Sequence, residues 1–120
     1  MTTVVKTVDM TTSVQEAYEI MTETGIRHLP VLDGDRFVGL LSARELDMLR
    51  LLPLSGLVIS SVSDAMSDEP YVVSPDAQVS EVVREMRANK YGSAVVTEGL
   101  KVVGIFTTMD ALAIVEQLFE

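Results

Sequence analysis

Cysteine is absent from these 120 residues. That excludes disulfides, thiolate metal sites and cysteine nucleophiles, and it gives no hint of secretion. Histidine occurs once, as His28. With no second histidine or cysteine to partner it, a zinc or iron site is not expected. As a catalytic base it would need a nucleophile, and none stands out. Its place in an alternating strand favours a structural role. Positive charge is scarce: nine Lys and Arg stand against eighteen Asp and Glu, a formal charge of −9. So acidic a chain repels nucleic acid and anionic lipid, and neither is an expected partner. Long hydrophobic runs are missing too. The longest apolar stretch, Leu49 to Ile59, contains Arg50, Pro53 and Gly56 and is well short of the roughly 20 residues of a spanning helix. No charged segment leads into an apolar one as in a signal peptide. The expectation is a soluble cytoplasmic protein with no membrane insertion.

Hydrophobic residues, by contrast, make up 48% of the chain, enough for a real core in one ordinary domain. The most informative stretch is Val103-Gly104-Ile105-Phe106-Thr107-Thr108-Met109-Asp110. It reads as a buried strand running into a helix N-terminus, where unpaired N–H groups and the helix dipole suit an anion. The same grammar appears as Val38-Gly39-Leu40-Leu41-Ser42-Ala43-Arg44-Glu45, with the two glycines 104 − 39 = 65 positions apart. Ser42-x-x-Glu45 and Thr107-x-x-Asp110 also fit a capping box, in which the hydroxyl bonds a helix amide and the acid reaches back. Capping and ligand binding do not exclude each other, because both use the same helix end.

In chain order, Thr3 to Val8 is short and β-branched and reads as a strand. Thr11-Thr12-Ser13 starts a helix, with Ser13-x-x-Glu16 as a capping box. Val14, Ala17, Tyr18 and Met21 form its apolar face, and Gly25 is a natural C-cap. His28 to Leu32 is a second strand, Asp33-Gly34 a tight turn, and Phe37 to Leu41 a third strand. A helix follows from about Ala43 to Leu52. Pro53 to Ser63 links the halves, and its apolar Leu54, Leu57, Val58 and Ile59 are expected to pack rather than float. A shift of 65 then places Val14 on Val79, Met21 on Met86, Val31 on Val96, Gly34 on Gly99 and Val38 on Val103 without a gap. The fold class is α/β, built from two repeats of strand-helix-strand-strand-helix. Their boundaries are 1–52 and 64–120, with 53–63 as linker. A half of roughly 60 residues has a marginal core alone, so the two are expected to pack as one module about an approximate twofold axis.

Each half resembles a CBS repeat, the module named after cystathionine β-synthase. The first half carries Gly25-Ile26-Arg27-His28-Leu29-Pro30-Val31, the Asp33-Gly34 turn and Gly39 to Glu45. The second carries Val62-Ser63-Asp64-Ala65-Met66-Ser67 ahead of it and Gly104 to Asp110 near its end. Met1-Thr2 sits in register with Met66-Ser67. Each motif alone is weak, but the ordered set occurs twice and covers almost the whole chain. The resemblance implies a tandem pair, or Bateman module. Such a module is regulatory, binds adenosine-containing ligands in clefts between repeats, and signals to an attached or partner protein.

On that resemblance, Asp110 would hold both ribose hydroxyls, and Thr107 would contact phosphate at the N-terminus of the last helix. Val72, Val73 and Ile105, with Val8 and Leu40 of the first half, would line a slot for the base. Plain core is the competing reading for each of these. In the first half Ser42 and Glu45 stand at the hydroxyl and acid positions. Glu45 replaces the usual aspartate, and its extra methylene can spoil a tight bidentate fit. Arg44 and Arg27 are candidate phosphate contacts there, or else solvated surface charges. The second half has Met109 and Gly92 at those two positions. The site at Thr107 and Asp110 is expected to fill first.

The resulting expectation is a non-catalytic sensor that binds AMP, ADP, ATP or S-adenosylmethionine as a regulatory ligand, with no metal and no hydrolytic or transfer activity. An unknown protein would be regulated by it. The alternative is a dimerisation or docking module with an empty cleft. A homodimer is expected either way. Ala111, Leu112, Ala113, Ile114, Val115, Leu118 and Phe119 wrap most of the last helix, more than one sheet contact covers.

Overall fold

The structure, a computed structural model, describes residues 2–3, 6–50 and 61–120. The expected packing of Leu54, Leu57, Val58 and Ile59, and the last turn of the helix expected to reach Leu52, lie outside the described residues. The elements, in chain order, are strand β1 (Thr2–Thr3), strand β2 (Val8–Asp9), helix α1 (Val14–Thr24), strands β3 (His28–Asp33) and β4 (Arg36–Ser42), and helix α2 (Ala43–Arg50). A 3-10 turn (Val62–Asp64) precedes strand β5 (Val72–Val73), helix α3 (Val79–Asn89), strands β6 (Ser93–Glu98) and β7 (Lys101–Thr107), and helix α4 (Thr108–Leu118). Among the described residues no helix is long and apolar enough to cross a membrane.

These elements form two compact units. The first is Lys6–Glu69; the second joins Met1–Val5 to Pro70–Glu120. The stretch expected as one strand from Thr3 to Val8 is therefore two strands that serve different sheets. Thr2 and Thr3 pair antiparallel with β7, whereas Val8 and Asp9 pair parallel with β3. One extended ribbon cannot supply both ladders, and Lys6 and Thr7 between them belong to neither.

In the first unit the sheet order is β2-β3-β4. The β3–β4 hairpin turns at Gly34, whose φ of 64° is a left-handed conformation that a side chain disfavours. α1 opens on Ser13, whose Oγ accepts from the Glu16 amide at 3.1 Å, and closes on Gly25, whose N–H donates to the Met21 carbonyl at 2.9 Å. Its buried face, Ala17 and Met21, packs with Val8, Leu29, Val31, Leu41 and Leu46. The 3-10 turn completes this core. Val62 is fully buried, its N–H donates to the Thr12 carbonyl at 2.8 Å, and the Ser63 N–H donates to the Met10 carbonyl at 3.3 Å. Ser67 then exchanges two backbone bonds with Leu40, at 2.8 and 2.9 Å. Gly39 makes this approach possible, because a Cβ there would stand 2.5 Å from Met66 Sδ and 2.8 Å from the Ser67 carbonyl oxygen.

The second unit repeats the plan with the order β1-β7-β6-β5. The β3, β4, α1 and α2 starts recur 65 residues later as β6, β7, α3 and α4, and the register slip at Val31/Leu32 recurs at Val96/Thr97. Thr2 opposite Ile105 is the counterpart of Ser67 opposite Leu40. The α3 C-cap is Lys90 in place of Gly25, again left-handed with φ 59°. One buried cluster here joins Val82, Met86, Ala94 and Phe106, and Val95, Val96 and Ile105 are buried as well. α4 has no buried residue.

Candidate functional site

The β7–α4 junction follows from sequence in a direct way. β7 ends on Thr107, which adopts an extended conformation, and α4 begins at Thr108. The Asp110 amide donates to Thr107 Oγ1 at 3.3 Å, and the Thr107 amide donates to Asp110 Oδ2 at 2.8 Å, a complete capping box. Thr107 Oγ1 also lies 3.2 Å from the same carboxylate oxygen. The box holds a half-buried carboxylate in one orientation at a helix N-terminus, where the dipole favours negative charge. A residue not anticipated from sequence helps to seat this end: the Thr108 amide and hydroxyl both donate to the Gly92 carbonyl, at 3.2 and 3.3 Å. The signal for it was the 65-residue register, since the Ala43 amide donates to the Arg27 carbonyl in the same way at 2.8 Å.

The apolar candidates of the second unit share a sheet. Val72 lies beside Val95, Val95 beside Ile105, and Ile105 beside Thr2, a row across all four strands. Ile105 is buried, Val73 partly buried, and Val72 exposed. Met109, on the first turn of α4, is 70% exposed.

The β4–α2 junction of the first unit gathers Arg27, Ser42, Arg44 and Glu45. Ser42 Oγ accepts from the Glu45 amide at 3.3 Å. Arg27 and Arg44 are both exposed, and the Ala43–Arg27 backbone bond sets them at the same end of the unit. Glu45 Oε2 is buried without a hydrogen-bond partner. Burial pushes the Glu45 carboxyl above its ordinary range, and a side-chain bond with Ser42 pulls part of the way back. That orphan acceptor had no sequence signal, because it depends on what packs over the side chain. His28, next to Arg27, is lowered by burial and then by the Arg27 charge, so it is neutral near pH 7. Val8 and Leu40 are both buried; Val8 belongs to the apolar core described above. Among the described residues no group of three or more His, Cys, Asp or Glu is placed to hold a metal ion.

Comparison with known proteins agrees with this geometry. The chain matches the CBS domain over residues 1–49 and 62–117. The Bacillus subtilis protein YlbB is 33% identical over 110 residues, which are 90% of this chain and 73% of that protein. An inosine-5'-monophosphate dehydrogenase of Korarchaeum cryptofilum is 32% identical over 105 residues, 87% of this chain but only 21% of the enzyme. Among solved structures, CBSX2 in complex with AMP superposes with a TM-score of 0.84 at 26% identity, covering 100% of this chain and 95% of CBSX2. The AcuB structure from Vibrio cholerae superposes with a TM-score of 0.83 at 27% identity, covering 99% of this chain and 88% of AcuB. With two matched segments on a doubled α/β framework of 65-residue period, the chain belongs to the CBS-domain family.

Proposed function

We propose that this protein is a non-catalytic regulatory module that binds an adenosine-containing ligand, with AMP as the leading candidate. The observation that carries the reading is the capping box at Thr107 and Asp110. It presents a carboxylate, already oriented, at the positive end of α4, and a carboxylate is the group best suited to accept from the vicinal hydroxyls of ribose. Orientation before binding lowers the entropic cost of holding a ligand. The AMP held by CBSX2 supports this ligand class. Phosphate of the same ligand would lie against Thr107 and the first amides of α4, and the base against the row of Val72 and Ile105. At the first unit's junction, the buried Glu45 Oε2 is an acceptor that a ligand hydroxyl would satisfy, and Arg27 and Arg44 would add phosphate contacts for ADP or ATP. S-adenosylmethionine fits the same ribose acceptor without the cations. The protein whose activity is regulated, the cytoplasmic setting and the absence of any turnover of the ligand belong to the same proposal.

The test is a melting experiment with AMP. Ligand at a hundred times its Kd stabilises a fold by about 2.7 kcal/mol, which in a chain of this size raises the melting temperature by about ten degrees. Asp110→Ala should remove most of that shift. It should also cost roughly 1 kcal/mol without ligand, through loss of the cap, so the measured quantity is the ligand-induced difference and not the melting point. An unchanged AMP shift in Asp110→Ala sinks the assignment. A second reading, a docking module that binds no nucleotide, rests on the exposed apolar face of α4. It prevails if neither AMP nor any other adenosine compound moves the melting point.

A further inference from the structure

The first unit has a cleft of about 210 Å³ between the last turns of α1, the loop that follows it and the first turns of α2. Its lining is of two kinds. Met21, Ile26 and Leu46, with Tyr18 beside them, supply apolar surface, and Met21 and Leu46 are buried. Two opposite charges, Arg27 and Asp47, border the same cleft and are exposed. The Ala43 amide donates to the Arg27 carbonyl at 2.8 Å, and Asp47 lies about one helical turn beyond Ala43 on α2. Among the described residues neither charge forms an ion pair.

The fold does not require this pair of charges. Shifted by 65, Arg27 and Asp47 become Gly92 and Leu112. The same strand–helix junction forms there, with the Thr108 amide bonded to the Gly92 carbonyl at 3.2 Å. A guanidinium and a carboxylate on one half-apolar cleft, not paired with each other, match a ligand that carries both charges itself.

We propose that this cleft binds a free amino acid with an apolar side chain. Its α-carboxylate bonds Arg27, its α-ammonium bonds Asp47, and its side chain covers Met21, Ile26 and Leu46. Both polar contacts are charge-assisted, the stronger class of hydrogen bond, and the covered apolar surface adds to them. The cleft is smaller than the roughly 300–1,000 Å³ of sites for drug-sized ligands, which suits a molecule of one residue. The site is separate from the Thr107–Asp110 junction and does not rest on nucleotide binding. Arg27 is the one residue it shares with the phosphate contacts proposed at the first junction.

The probes are L-leucine, L-methionine and L-phenylalanine, each titrated to about 10 mM into the full chain while backbone amide shifts are followed by NMR. Saturable shifts at Thr22, Ile26 and Leu46 are expected with at least one of them. The des-amino acid and the amide of that binder each lack one charge, and each should bind about tenfold more weakly or worse. The same loss is expected for the binder itself in Asp47→Asn. Asp47 is exposed, so that variant should fold and melt near wild type. A chain that fails to bind AMP would still show these shifts. The absence of a saturable shift with all three amino acids overturns the proposal. So does undiminished binding in Asp47→Asn, and so does equal binding of the des-amino acid, which would make the cleft a plain anion site on Arg27.

Discussion

One methylene separates Glu45 from the aspartate at the matching position of the second unit, and the two carboxylates stand differently. Asp110 bonds the Thr107 amide and completes its cap. Glu45 instead leaves Oε2 buried and unpartnered. Its carboxyl, raised by burial above the ordinary value of 4.5, takes up protons in the folded state where the unfolded chain has already lost them. Stability from this group is therefore fully present below about pH 4.5 and is lost as pH rises through the folded value. Glu45→Gln should raise the ligand-free melting temperature by a few degrees at pH 7 and change it little at pH 4. Melting curves of both proteins across that range check the sign; a destabilised glutamine variant at pH 7 contradicts it. Gly39 makes a second residue-scale point. Gly39→Ala drives a methyl against Met66 and the Ser67 carbonyl. Methionine can yield but the backbone oxygen cannot, and overpacking of this kind costs about 1–3 kcal/mol. Denaturant unfolding should show that loss. Gly92→Ala, with open space around its Cβ position, is the control for glycine replacement as such.

Among the elements, α4 is the least accounted for by its own chain. Its first turn is fixed by the cap, yet Leu112 is 58% and Leu118 75% exposed, with Val115 between them on the same side. The sequence pattern, apolar most of the way round, anticipated more burial than one sheet contact provides, and the structure bears that imbalance out. Homodimerisation through this helix is the proposed resolution. The wild type should sediment as a dimer at micromolar concentration, and Leu112→Asp with Val115→Asp should make it monomeric. The double variant should keep the monomer's internal packing, since neither side chain is buried. A wild-type monomer under those conditions overturns the dimer.

For the molecule as a whole, the segment ahead of each repeat is built into the opposite unit: residues 2 and 3 extend the sheet of the second repeat, and Val62 to Ser67 complete the first. A fragment cut as 6–69 keeps its plug, whereas one cut as 1–52 loses it. Full burial of a valine contributes roughly 1.5–3 kcal/mol, a large part of the stability of a unit this small. Fragment 6–69 should therefore show cooperative melting by circular dichroism and fragment 1–52 should not. Equal melting of the two would show that the Val62 segment is dispensable.

The sequence by itself determined the repeat, its 65-residue period, the strand–helix junctions and the caps at Ser13, Gly25 and Thr107. Each of these is local: a hydroxyl three residues before an acid, a glycine after an apolar face, or an alternation of period two reports on neighbours along the chain. The junction at Asp110 was legible for that reason, down to which atoms bond. Three features were decided only by tertiary structure. The ribbon from Thr3 to Val8 divides between two sheets, because β-branched residues suit any strand and do not name the partner strand. Glu45 carries a buried orphan oxygen, because burial is set by what packs over a side chain. Val62 completes the core of the first unit, because such a plug is a contact between residues about fifty positions apart in the chain, and hydrophobic patterning records that a residue is to be buried without recording against what.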